Sequence, residues 1–228
     1  NNYLDTLKYS SSKENYIKAV FHLQQEEDVV STNGLAKALS TKPASVTDML
    51  KKLKTQKLLQ YQPYKGVKLS AEGKKLALQI IRKHRLWEFF LVEKLGFGWE
   101  EVHEIAEELE HISSKKLIDR LDHFLGHPKT DPHGDPIPDS QGRMPLVEQT
   151  ALLDLPLGVL ASVVSVSNQS TSLLELLKHN KIGIGTRLSV SKRFEFDNSL
   201  EVSLAGQPLI TISEQLAANL FVSYEAIR

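Results

Sequence analysis

The chain has 228 residues, of which 41% are hydrophobic and 25% charged, which is ordinary for one large or two to three small globular domains. It contains no cysteine, which excludes disulfides, thiolate-bound zinc and iron–sulfur clusters. The sequence shows neither a secretory signal nor an apolar run of about 18 residues, so we expect a cytoplasmic protein with no membrane partner.

Charge is distributed unevenly along the chain, although the formal net charge is zero. Residues 37–85 contain thirteen Lys or Arg and two acidic residues, whereas residues 88–111 contain eight acidic residues and a single lysine. A basic block predicts a polyanionic partner, and an acidic block that also holds histidines predicts a bound cation.

The N-terminal third has the pattern of a winged helix-turn-helix. Apolar residues at helical spacing predict helices over 12–26, 31–39 and 43–57, and Pro43 suits the first turn of the third helix. Two short helices joined by a tight turn are typical of a helix-turn-helix. Strands over 58–62 and 66–70, joined by a turn at Pro63-Tyr64-Lys65-Gly66, predict the hairpin called a wing.

A helical middle and a mostly β end follow the predicted wing. A long helix over 70–95 is more apolar than a solvated helix needs, which indicates a packing or dimer surface. Helices are expected over 99–112 and 114–125, before a Pro- and Gly-rich linker over 126–145. The rest predicts a small β-barrel with short strands and two short helices.

The predicted fold class is therefore mainly α with a small β part. The expected domains are a DNA-binding winged helix over 1–72, a helical dimerisation and metal-binding domain with its linker over 73–145, and a barrel over 146–228.

Histidines and carboxylates recur at metal-ligand spacing. His103, Glu107, Glu110 and His111 fall within an arc of about 100° if they share one helix. His84 and Glu88 form a second pair at i and i+4, and Asp131 and His133 lie in the linker. Such sets suit a divalent transition metal, whereas the alternative is a solvated acidic face and an ordinary polar turn.

The basic block predicts contacts to DNA. Lysines can neutralise phosphates, and the start of the third helix can face base edges, although a lysine-rich surface kept for solubility is the alternative. The predicted DNA-binding residues are Lys42, Pro43, Ala44, Ser45, Thr47, Asp48, Lys51, Lys52, Tyr64, Lys65 and Lys68.

Two other functions stay open on the residues alone. His103-Glu104-Ile105-Ala106-Glu107 approaches the HExxH motif of zinc peptidases but lacks its second histidine, so a metal-dependent hydrolase is the weaker alternative. The third possibility is a DNA-binding protein whose metal is structural, in which metal removal would lower stability.

The order of these motifs resembles the diphtheria toxin repressor family of metal-dependent transcriptional repressors, in its manganese-sensing type. The C-terminal part is similar to that family's SH3-like domain. The matching stretches are Asn15-Tyr16-Ile17-Lys18, Lys42-Pro43-Ala44-Ser45-Val46-Thr47, Arg82-Lys83-His84-Arg85-Leu86, Val102-His103, Glu107-x2-Glu110-His111 and Pro132-His133-Gly134-x-Pro136-Ile137-Pro138.

The resemblance implies a homodimer that binds a double-stranded DNA operator when loaded with metal. Mn(II) is the expected ion because Glu107 stands where iron sensors carry Cys; Fe(II) is the second choice, and a crystal could hold Zn(II) or another divalent ion. The implied primary site uses Glu107, Glu110 and His111, with His84 close by and Asn15 bridging from the first helix.

Further sites implied by the resemblance share Glu88. His84, Glu88 and His103 match an ancillary site of iron sensors, and Glu88, Asp131 and His133 match a second site of three-domain manganese sensors. The chain departs from the family at Asn15, which brings no charge to the primary site, and at Lys18, where manganese-type members place Glu. Asp131 stands where some relatives have Cys.

Overall fold

The computed structural model describes residues 9–62 and 65–224 and divides into two compact units. The first unit contains the chain up to His84, Glu107–His123 and Pro138–Arg143. The second contains Arg85–Ala106, Phe124–Ile137 and the chain from Met144 onward.

The first unit contains the predicted winged helix. Its elements are α1 (Ser11–Leu23), α2 (Thr32–Ala38), α3 (Pro43–Thr55), the antiparallel strands β1 (Leu59–Gln62) and β2 (Gly66–Leu69), and the start of α4 (Ala71–Leu95). Ser31 caps α2, because its hydroxyl accepts a hydrogen bond from Gly34 N at 3.0 Å. The fold class predicted for this part is confirmed.

A buried core holds this unit together, and helical spacing determines which side chains enter it. Ile17, Leu35, Val46, Leu53 and Ile80 come from four different helices and are each fully buried. Val30 forms an isolated antiparallel β-bridge with Val67 of β2, through two backbone hydrogen bonds of 2.9 and 3.0 Å. The helices α5 (Val102–Leu109) and α6 (Lys115–Phe124) follow α4.

The second unit contains an antiparallel sheet of six strands in the order β3-β8-β4-β5-β6-β7. The strands and helices are β3 (Thr150–Ala151), β4 (Ala161–Val166), α7 (Thr171–His179), β5 (Arg187–Arg193), β6 (Leu200–Leu204), β7 (Ile210–Ile212), α8 (Glu214–Ala217) and β8 (Leu220–Ser223). Register shifts in β4 and β5 mark bulges, which bend strands and suit the predicted small barrel.

Some elements differ from those predicted from the sequence. The last short helix, which the pattern predicts to run from Glu214 to Leu220, ends at Ala217, because Leu220 and Val222 alternate with more exposed residues and enter the sheet as β8. Strand β3 was not predicted, since two residues carry no periodicity. Helix α5 is shorter than the predicted 99–112 at both ends. Within the described residues, no helix is both long and apolar enough to cross a membrane.

Replacing a core residue of α3 tests this packing. Leu53→Ala removes a fully buried side chain from α3 and is expected to lower the free energy of unfolding by about 2–5 kcal/mol, because it leaves a cavity. The matched control Leu117→Ala alters a side chain of the same unit that is 42% exposed, and should change it by less than about 1 kcal/mol. Urea unfolding followed by circular dichroism measures both; equal losses would contradict the assigned core.

Candidate metal centres

Glu88, Asp131 and His133, here called the loop cluster, come together in the second unit. Glu88 lies on α4, and the other two lie in the Pro- and Gly-rich segment after α6. Each offers a ligand atom within 4.8 Å of the others. All three residues are buried, with exposed fractions of 0%, 4% and 0%. Buried acidic groups this close together need a positive partner.

The backbone of Trp99 sets the chemistry of His133. Nε2 of His133 donates to the carbonyl oxygen of Trp99 at 2.8 Å, since that oxygen can only accept. Nδ1 then faces the acids, 3.8 Å from Oε2 of Glu88 and 3.9 Å from Oδ1 of Asp131. Among the described residues Nδ1 has no hydrogen-bond partner, so this nitrogen is placed to take a proton or a metal ion.

The pKa values of His133 and Asp131 are both raised, for different reasons. Burial lowers the pKa of His133, but Glu88 and Asp131 outweigh it and leave the pKa raised. Burial, together with the nearby charges of Glu88 and Asp135, raises the pKa of Asp131 to about 7. The shift of His133 is the one that reflects attraction for positive charge, whereas that of Asp131 reflects first the burial of a carboxylate.

The loop itself is held by its own side chains. Oδ1 of Asp131 accepts from the backbone N–H groups of His133 and Asp135, at 2.8 and 3.0 Å. Oδ2 of Asp131 has no hydrogen-bond partner within the described part of the chain and lies 3.6 Å from Nε of Arg85. Arg85 also donates to the carbonyl of Pro136 and fixes the far side of the loop.

The loop is also fastened to the barrel part of the second unit. Val166 N donates to the carbonyl of His133 at 3.0 Å, and Nε2 of Gln169 donates to Oδ2 of Asp135 at 3.0 Å. Gly134 has φ +89°, and a Cβ there would lie 1.9 Å from the carbonyl oxygen of Val164. This close approach therefore requires glycine.

The donor set of the loop cluster fits a divalent metal ion. Two carboxylates and one imidazole suit Mn(II), Fe(II) or Zn(II). Oδ2 of Asp131 and Nδ1 of His133 are buried polar atoms without a hydrogen-bond partner among the described residues, and an ion would satisfy both. His103 lies at the edge: its side chain is 49% exposed, and Nδ1 is 3.4 Å from Oε1 of Glu88.

A second group lies in the first unit and is here called the α1–α5 cluster. His84, Glu107 and Glu110 offer ligand atoms within 4.8 Å of one another. Nδ1 of His84 donates to Oε2 of Glu110 at 2.7 Å. Burial acts to raise the pKa of Glu110, but hydrogen bonds from His84 and Lys18 keep it below its ordinary value.

The acids of this cluster already contact a cation of the protein. Lys18, on α1, donates from Nζ to both oxygens of Glu110, at 2.7 and 2.8 Å, and also to Glu107. Its side chain is 13% exposed. Oδ1 of Asn15 is buried without a hydrogen-bond partner among the described residues. A site with two metal ions on Glu107 and Glu110 does not fit this arrangement, because the ammonium group of Lys18 already contacts their oxygens.

Glu14 is a site residue that the sequence reasoning missed. Nδ1 of His111 donates to Oε2 of Glu14 at 2.6 Å, and Nζ of Lys83 lies 3.8 Å from Oε1 of the same carboxylate. Burial lowers the pKa of Lys83, while Glu14 and Glu110 oppose that shift. The signal was present in the sequence, since Glu14 and Lys18 have the i, i+4 spacing of neighbours on one helix face.

The expectation that His103 to His111 share one helix is wrong. Helix α5 ends at Leu109, and Glu110 and His111 lie in the turn that follows, where Ile112 N donates to the carbonyl of Leu109 at 3.2 Å. That turn directs Glu110 toward Lys18 and His111 toward Glu14, so the ligand geometry of an ideal helix does not apply.

The predicted DNA-binding residues form an exposed surface on α3 and the wing, with one exception. Lys42, Pro43, Ala44, Ser45, Thr47, Asp48, Lys51, Lys52 and Lys65 are exposed. Lys68 is instead half-buried and paired with Asp28. Tyr64 lies outside the described residues. Lys54, also exposed, stands 5.2 Å from the ring centre of Tyr61 on β1.

Two family models match the chain over most of its first 140 residues. The iron dependent repressor N-terminal DNA binding domain matches residues 8–67, and the iron dependent repressor metal binding and dimerisation domain matches residues 70–139.

Individual relatives agree with this assignment. The iron-dependent repressor IdeR of Mycobacterium tuberculosis is 33% identical over 125 residues, which are 55% of this chain and 54% of the relative. The HTH-type transcriptional regulator MntR of Geobacillus thermodenitrificans is 36% identical over 110 residues, 48% of this chain and 77% of the relative. The chain therefore spans about half the length of IdeR and more of MntR.

A solved structure resembles nearly the whole chain. It is described as a manganese-dependent transcriptional repressor in complex with manganese, and it is 32% identical with a TM-score of 0.82. The similarity covers 93% of this chain and 100% of the solved one, so it includes the C-terminal sheet.

Adding a side chain at Gly134, where the loop approaches the backbone of Val164, tests how the loop cluster is positioned. Gly134→Ala should weaken Mn(II) binding roughly 10–100-fold, as loss of supporting contacts at metal sites does, because the new Cβ pushes the loop away from Val164. Gly185→Ala is the matched control: its φ of +84° is similar but open space surrounds it. Isothermal titration with Mn(II) compares the two, and equal affinities would refute the assigned role of the loop.

Proposed function

The chain belongs to the iron-dependent repressor family, and on that premise we propose that it is a transcriptional repressor whose binding to a DNA operator depends on a divalent metal ion. Mn(II) is the preferred ion and Fe(II) the second choice. The loop cluster supports this proposal, because its three buried residues would hold a cation, and two of their polar atoms have no hydrogen-bond partner among the described residues.

DNA recognition is assigned to α3 and the wing. Pro43, Ala44, Ser45 and Thr47 are exposed at the start of α3, where a recognition helix reads base edges in the major groove. The exposed lysines of α3 and Lys65 would contact phosphates, which supplies affinity without sequence information. We expect this repressor to act in the cytoplasm.

The dimer is assigned to the helical part of the second unit. Phe124 is 64% exposed and lies 6.5 Å from the ring of Phe90, which in turn lies 5.8 Å from Trp87. Aromatic side chains grouped at the surface are typical of protein interfaces. A homodimer would place two recognition helices about 34 Å apart, one turn of DNA.

The division into three domains, with boundaries after residues 72 and 145, is also part of this proposal.

A bound ion would supply positive charge and fixed geometry to the loop cluster, and the chain provides the rest. A hydrogen bond to the carbonyl of Trp99 holds His133 in one orientation, and hydrogen bonds from the loop backbone hold Asp131. Glu88 is positioned by its place on α4. The ion can switch DNA binding only if it binds the DNA-competent conformation more tightly than the other conformation. The relatives described above are named as repressors or regulators, so the hydrolase alternative is set aside.

Metal removal tests the switch. Adding a chelator should lower operator affinity about 5–150-fold, the usual range of allosteric coupling, and Mn(II) should restore it. Glu88→Gln removes a buried ligand charge and should abolish the response, whereas Glu175→Gln, an exposed residue of the same unit, should leave it unchanged. Fluorescence anisotropy with a labelled operator measures each case. Equal affinity with and without Mn(II) would remove the claim of metal dependence.

Salt dependence tests the phosphate contacts. Lys65→Ala should weaken binding to all DNA sequences alike and reduce the slope of log K against log salt by about 1, because one phosphate contact is lost. Lys181→Ala changes an exposed lysine of the second unit and serves as the control. A Lys65→Ala variant with an unchanged slope would exclude the wing from the DNA contact.

A further inference from the structure

Lys18 is placed as a metal ion would be placed in the α1–α5 cluster. Its Nζ contacts three carboxylate oxygens, two from Glu110 and one from Glu107. Glu110 is fully buried, and the lysine side chain is 13% exposed. A compact ammonium with three donors can satisfy three oxygens at once.

The contact also joins two parts of the first unit. Lys18 belongs to α1, which packs in the core of the winged helix, whereas Glu107 and Glu110 lie at the end of α5 and in the turn after it. His111 and Glu14 make a second connection between the same elements. Helix α1 is therefore held against the end of α5 by side chains of the protein alone.

The two clusters differ in how closely the basic side chains of the protein approach their carboxylates. At the α1–α5 cluster, Nζ of Lys18 contacts Glu107 and lies 2.7 Å from Oε1 of Glu110, and Nζ of Lys83 lies 3.8 Å from the neighbouring Glu14. At the loop cluster, Nε of Arg85 lies 3.6 Å from Oδ2 of Asp131. That oxygen and Nδ1 of His133 have no hydrogen-bond partner among the described residues, so the loop cluster keeps two polar atoms that an ion would satisfy.

We propose that Lys18 is the resident cation of the α1–α5 cluster, so that this cluster takes up no divalent ion under conditions that fill the loop cluster. An ion on Glu107 and Glu110 would have to expel a partly buried ammonium from both of them, and separating such a pair is unfavourable. Metal sensing then resides in the loop cluster, and α1 stays attached to α5 without metal. This inference rests on the proposed function only in its statement about sensing.

Counting bound Mn(II) tests the inference. The full chain and its variants are dialysed against Mn(II) at a concentration that saturates the loop cluster, and the metal is measured by atomic absorption. We expect Lys18→Glu to bind one more Mn(II) per chain than the wild type, because the substitution replaces the resident cation with a ligand. Lys13→Glu makes the same charge change on α1, and Lys13 has no ion pair with a described residue, so its count should equal that of the wild type.

A second variant separates a missing ion from a misfolded chain. Lys18→Gln removes the charge with little change in size, and in the presence of a chelator it should unfold at a lower temperature than the wild type and Lys13→Gln. Mn(II) should raise the unfolding temperature of Lys18→Gln by more than that of the Glu107→Gln, Lys18→Gln double variant. If Mn(II) raises the unfolding temperature of both variants equally, no ion enters the position that Lys18 vacates. That result would contradict the inference.

The outcomes distinguish this inference from the proposed function. If the wild type binds an ion that Glu107→Gln removes, the α1–α5 cluster is a metal site and the inference is overturned, while metal-dependent repression can stand. If the wild type binds no Mn(II) but Lys18→Glu binds one, Lys18 is the resident cation of the α1–α5 cluster, while metal sensing at the loop cluster and the proposed metal dependence both fail.

Discussion

Buried carboxylates constrain this protein more than any other feature, because a charge removed from water needs a partner of opposite sign. Glu110 and Glu88 are fully buried and Asp131 is nearly so. For Glu110 the chain supplies the ammonium of Lys18 and the imidazole of His84. For Asp131 it supplies the more distant guanidinium of Arg85, and Nδ1 of the neighbouring His133 has no hydrogen-bond partner among the described residues. We propose that a bound cation completes this second cluster.

On the proposal that the loop cluster binds metal, the many contacts of the loop have a physical reason. A site that is to respond to metal must hold its ligands close together before the ion binds, against the mutual repulsion of its carboxylates. Asp131 is held by two backbone N–H groups, His133 by the carbonyl of Trp99, and Gly134 lets the loop reach β4. The family models that match the chain describe a DNA-binding domain and a metal-binding and dimerisation domain, which agrees with the proposal that a cation controls DNA binding.

The winged helix and the second-unit barrel were accessible from sequence because their signals are local. Helical spacing, Pro43 at a first turn and a Gly-containing hairpin turn specify the elements around α3. The ligand types at Glu88, Asp131 and His133 were predicted by their resemblance to a family, and the structure brings them together. Sequence could not show the pairing of Lys18 with Glu110, because it joins residues 92 positions apart. The end of α5 at Leu109 was missed because Glu110 and His111 still fit the helical period.

Anomalous diffraction at the manganese absorption edge tests the central claim most directly, because it locates each ion without depending on a functional assay. Crystals of the full chain grown with Mn(II) should show an anomalous peak among Glu88, Asp131 and His133, and continuous density for Lys18 on Glu107 and Glu110. An anomalous peak between Glu107 and Glu110 with Lys18 displaced, and none at the loop, would contradict the account.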